Sequence, residues 1–105
     1  MKVTIKEKEY EFSFDSIWGP LYTYEAVAGS KLPYDPHKML CLHILFWCIL
    51  MRGNSDFDMP LDKFIIELNN VDLVRSMTEY YRNRMEVLGT GVSEEAIEED
   101  DKKKD

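Results

Sequence analysis

Thirteen consecutive residues, Met39 to Met51, are apolar except for His43, and no other stretch of this 105-residue chain constrains its fold so tightly. A membrane-spanning helix needs roughly 20 such residues, whereas runs of about 10–14 belong to helices buried in a protein core. The run therefore reads as a central helix. Asp35-Pro36 supplies its start, an acidic N-cap followed by proline at the first helical position, and Arg52-Gly53 its stop, which sets the helix at about 36–52. A helix apolar nearly all round must be covered on most faces, by the rest of the chain or by a partner. Cys41 and Cys48 lie in it seven residues apart. That is about 10.5 Å along the axis, too far for a disulfide, and it places them as buried thiols in a reducing compartment.

Ahead of this helix the period is two. Val3 and Ile5 alternate with Lys2, Thr4 and Lys6, and Tyr10, Phe12 and Phe14 alternate with Glu9, Glu11 and Ser13, the pattern of half-buried strands. With Glu7-Lys8 between them, the two runs predict an antiparallel hairpin over 2–14 whose turn type the residues leave open, since neither favours the positive φ of tight hairpin turns. The period then becomes helical. Ile17, Leu21, Tyr24 and Ala28 share one stripe of a helix over about 17–28, capped by Asp15 or Ser16 and ended at Gly29. Beyond Gly53, Asn54 to Asp58 reads as a polar turn. Pro60 opens a short helix over 60–68 with Leu61, Phe64, Ile65 and Leu68 on one side. Asn70 caps the last helix, 71–88, on which Val71, Val74, Met77, Tyr81, Met85 and Leu88 form the stripe before Gly89.

The length suits one core, and a hydrophobic content of 45% is enough to pack it. The expected fold is α+β and mostly helical: an N-terminal two-stranded β-hairpin packed on a bundle of about four helices. It forms a single globular domain over 1–91, followed by a flexible acidic tail over 92–105. Ser93 to Asp105 carries seven acids against three lysines, so −4 of the net charge of −7 sits there. An acidic surface repels phosphate backbones, which argues against nucleic acid as a partner. The start of the chain lacks the charged-then-apolar order of a signal peptide and no Asn-X-Ser/Thr sequon occurs, so a cytoplasmic location with no membrane partner is expected.

Residues placed for chemistry are few. His37, Cys41 and Cys48 fall on one helical stripe with His43 nearby, but the set is spread over roughly 16 Å and only His37 and Cys41 could share a metal. The plainer reading is two buried cysteines and a histidine at a helix end. Thiols among leucines lack the lowered pKa and accessible base of a nucleophile. The acidic pairs of the tail lack the rigid placement of general acids and bases. No phosphate-binding loop, nucleophile elbow or His-Glu-X-X-His motif occurs. An enzyme, a metal and a cofactor are therefore not expected.

Large apolar residues off the main stripes are the remaining feature: Trp18 and Tyr22 on the first helix, Trp47 on the second, Ile66 on the third and Tyr80 on the fourth. Each can serve the core or a partner-binding patch, and a domain of this size has limited interior.

The order of these pieces resembles the phage tail assembly chaperones, small proteins encoded just ahead of the tape measure gene in long-tailed phages and prophages. The resemblance is carried by Met1-Lys2-Val3-Thr4-Ile5 with Glu9-Tyr10-Glu11-Phe12, by Ser16-Ile17-Trp18, by Met39 to Met51, by Met59-Pro60-Leu61-Asp62-Lys63-Phe64 and by Val71 to Gly89. It implies a non-catalytic protein that coats the helical tape measure in the host cytoplasm and recruits tail tube proteins during virion assembly. Several family members also make a longer form by ribosomal frameshifting, and by that resemblance an adenine-rich slippery stretch would lie in the codons of Lys102-Lys103-Lys104. Two other readings fit the same residues: a structural adaptor or homo-oligomeric phage subunit whose apolar helix packs on its own copies, and a small regulator or inhibitor of a host protein.

Overall fold

The alternation near the N-terminus closes on itself as expected. In a computed structural model, which describes residues 1–88, β1 (Lys2–Ile5) and β2 (Lys8–Glu11) pair antiparallel with Val3 opposite Tyr10 and Ile5 opposite Lys8. The Phe12 amide donates to the Met1 carbonyl at 2.7 Å, which prolongs the ladder by one pair. The regular second strand ends at Glu11, short of the expected reach to residue 14, yet Phe14 is buried all the same. The turn is Lys6-Glu7 instead of Glu7-Lys8, and both residues are left-handed, with φ of 52° and 67°. That is the geometry of a type I′ turn, normally filled by Asn-Gly. Replacing Lys6-Glu7 by Asn-Gly is expected to stabilise the fold by about 1 kcal/mol, seen as a rise of roughly 4–8 °C in the thermal midpoint. No rise would mean that the strands alone set the turn.

The first helix is shorter than its stripe suggested. α1 spans Trp18–Tyr24, with the Ser16 hydroxyl accepting from the Trp18 amide at 3.2 Å, and then widens into a π-helical turn over Glu25–Gly29. Its inner face presents Ile17, Pro20 and Tyr24, all buried. Gly19 lies under Arg52, whose Nε would stand 2.7 Å from a Cβ added there, so the small residue lets α1 approach the end of the central helix closely.

The central helix, α2, runs Met39–Gly53 and starts three residues later than Asp35-Pro36 implied. Asp35 does cap, but it caps a turn: its side chain accepts from the His37 amide at 2.9 Å and its carbonyl from the Lys38 amide at 3.0 Å. The segment is tied down before the helix can begin. The Tyr24 hydroxyl donates to the Leu32 carbonyl at 2.6 Å, and the Tyr34 and Tyr81 hydroxyls meet at 3.1 Å.

Two further helices close the domain: α3, Leu61–Glu67, and α4, Val71–Val87, the latter capped by the Asn70 side chain, which accepts from the Leu73 amide at 3.2 Å. They cover α2 from one side while α1 covers it from another. One buried cluster joins Val3, Ile5, Tyr10 and Phe12 of the hairpin to Leu45, Phe46, Ile49 and Leu50 of α2, Phe64 and Met77. The other holds Tyr24 against Cys41, Ile44 and Cys48. Phe57, in the stretch read as a polar turn, is also buried, edge-on to Tyr10 at 5.0 Å between ring centres. The expected α+β fold, a hairpin on four helices, is thus present. Among the described residues no helix is long and apolar enough to cross a membrane. The expected stop at Gly89 and the acidic tail over 92–105 lie outside the described residues.

Candidate partner-binding surface

Once the core is closed, a set of large apolar side chains is left outside it. Of the five residues singled out by sequence, Trp18, Tyr22 and Ile66 remain exposed, at 62%, 69% and 58%. Trp18 and Tyr22 are one turn apart, so they share the outer face of α1 while Ile17 and Tyr24 point inward. Trp18 also borders a cleft of about 170 Å³ with Asp15, Ser16, Ile17 and Leu88.

The other two pack into the protein itself, the core role that was one of the two open to each of them. Trp47 is half-buried between the two core clusters, and its indole N–H donates to the Met59 carbonyl at 2.8 Å. Tyr80 packs against Phe12 and Phe14, with ring centres 5.6 and 6.3 Å apart.

A second exposed area escaped the sequence analysis. Met39 at the start of α2 and Val71 at the start of α4 are 66% and 65% exposed, although both were placed on buried faces. The buried residues of α2 begin at Cys41, and on α4 only Met77 is fully covered, so the first residue of each helix stays open. Met39, His43, Leu68, Val71, Val74 and Arg75 together line an open groove of about 320 Å³. Leu68 is buried and forms its floor. Burial holds the His43 imidazole below the usual histidine range, so at neutral pH the ring lines the groove uncharged.

The groups that chemistry would need are dispersed. Among the described residues no three His, Cys, Asp or Glu side chains converge as metal ligands would. His37 is exposed in the turn before α2, whereas Cys41 and Cys48 are buried free thiols. Burial pushes the Cys48 thiol up to about 12, so it stays protonated and a poor nucleophile at neutral pH. The Cys41 sulfur lies 3.2 Å from the Tyr24 hydroxyl, whose single proton goes to the Leu32 carbonyl, and that hydroxyl is driven above its ordinary range by burial and by Cys41. Glu11 is held below the usual carboxylate range by the N-terminal ammonium, 2.8 Å away, an interaction that ties down the chain end.

Among the described residues, exposed apolar area lies on α1, at Ile66 of α3 and in the α2–α4 groove. No family model, curated protein or solved structure matches this chain.

Proposed function

We propose that the chain is a non-catalytic protein-binding protein of the phage tail assembly chaperone type, acting in the host cytoplasm to coat the tape measure protein and recruit tail tube subunits. The observation that carries the protein-binding part is the exposure of Trp18 and Tyr22 on one helix face above a core that is already filled. Exposed aromatic pairs of this kind are costly in an isolated protein and favourable when a partner desolvates them. The order of hairpin, apolar helix and closing helices supplies the chaperone part through the family resemblance.

The test is co-expression of the full chain with a phage tape measure protein. A soluble complex that co-purifies at fixed stoichiometry is expected, and Trp18→Ala with Tyr22→Ala should weaken it at least about tenfold while leaving the thermal midpoint in place. Trp47→Asp is unsuited to this purpose because it would break the Met59 hydrogen bond and the core. A chain that ignores tail proteins but assembles alone into a closed ring would instead favour a structural subunit. Capture of a host protein by purified chain, with no tail complex, would favour a regulator.

A further inference from the structure

The groove at the starts of α2 and α4 has a charge as well as a shape. Its apolar wall is Met39, Leu68, Val71 and Val74, and it is rimmed by Arg75. Lys38, the residue immediately before α2, is exposed and makes no ion pair among the described residues. The same end of α2 has no side-chain cap and no acid in its first turn, so its free amides add the positive end of a 15-residue helix. Asp72 is the nearest acid on α4, but it borders the opposite side of that helix, in a cleft with Met1, Lys2 and Val3. It reaches Arg75 through one contact of 3.3 Å that leaves the guanidinium largely exposed. A chain of net charge −7 thus sets two exposed cations, Arg75 in the groove wall and Lys38 next in sequence to Met39, at its apolar groove.

We propose that this groove docks an amphipathic helix whose apolar stripe is flanked by acidic side chains. Apolar residues at i, i+3, i+4 and i+7 would cover Met39, Val71 and Val74, and flanking carboxylates would lie against Lys38, Arg75 and the amides of α2. A helix flanked by lysines would bury the same area and meet repulsion from those cations. The inference deepens the protein-binding reading above, on which it rests, by assigning a site and the chemistry of what occupies it.

The probe is a fluorescein-labelled 18-residue peptide with leucines at that spacing and glutamates beside them, compared with a counterpart in which lysines replace the glutamates. Binding to the full chain is read by anisotropy. The glutamate peptide should bind at least about tenfold tighter than the lysine peptide, and the difference should shrink as salt is raised. Val71→Asp, at an exposed position that leaves the core intact, should lower its affinity at least about tenfold, and Lys38→Glu with Arg75→Glu should remove the preference. Equal affinity for the two peptides, or an unchanged affinity in Val71→Asp, would overturn the inference. So would self-association that Val71→Asp abolishes, which assigns the groove to a second copy. Binding that appears only after residues 89–105 are deleted would assign it to the chain's own acidic segment. Failure of the glutamate peptide to bind the unaltered chain while the tail-protein complex still forms would sink this site alone, whereas loss of the complex only in the Trp18 and Tyr22 variants would place the contact on α1.

Discussion

Phe46→Ala is expected to remove about 3–5 kcal/mol of stability, enough to leave a domain of this size close to unfolded. Phe46 is fully buried at the point where the hairpin, α2 and α4 meet. Its ring stands edge-on to Phe12 at 5.4 Å and tilted against Tyr81 at 5.7 Å. Truncation would remove the transfer energy of the ring and leave a cavity between elements that are far apart in sequence, so no local shift can close it. Phe46→Leu keeps much of the volume and should cost less than about 1.5 kcal/mol. Urea denaturation followed by circular dichroism measures both. A loss under about 1 kcal/mol for the alanine variant would show that the ring cluster is not the junction described.

A smaller residue carries the second expectation. Asn54→Ala should cost about 2 kcal/mol, although Asn54 is only half-buried in a loop. Its Oδ1 accepts from the Glu11 amide at 2.9 Å, while its Nδ2 donates to the Glu11 carbonyl at 2.8 Å and to the Leu50 carbonyl at 3.0 Å. Glu11 sits at the position in the ladder whose backbone groups point away from β1, because the adjacent pair, Met1 and Phe12, is the bonded one. The Asn54 amide therefore acts as a one-residue strand on the open edge of the hairpin and also satisfies the last turn of α2. Asn54→Asp should be at least as damaging at neutral pH, since its carboxylate keeps the acceptor but faces two carbonyls without a proton to donate. That excess should diminish as pH falls and the carboxyl regains its proton. Equal stability of all three proteins would show that water replaces the amide without loss.

Why the sequence revealed some of this and not the rest can be followed at single residues. Alternation placed Val3, Ile5, Tyr10 and Phe12 on one buried face, and the structure agrees. It could not locate the turn. A Glu7-Lys8 loop would pair Val3 with Phe12 and Ile5 with Tyr10, a shift of two that keeps every side chain on its face. What distinguishes the two registers is tertiary: the observed one brings the Met1 ammonium to Glu11 and lets Phe14 leave the strand for the core. Asp35-Pro36 was legible as a cap but not as the cap of a turn, because the segment is held by side-chain ties, Tyr24 to Leu32 and Tyr34 to Tyr81, the second of which spans 47 positions of sequence. Asn54 and Phe57 carried no periodic signal at all. For the binding surface, spacing separated stripe from off-stripe residues and no more. Trp18 and Trp47 looked alike, and only the neighbours of α2 decide that one indole is covered and the other is not.

That difference gives the protein two optical reporters. The indole of Trp18 stands in water, whereas that of Trp47 is half-shielded and fixed by its bond to Met59. A quencher in solution should reach the first far more readily than the second. A partner covering α1 would then dim or shift one emission component, and loosening of the interior would move the other.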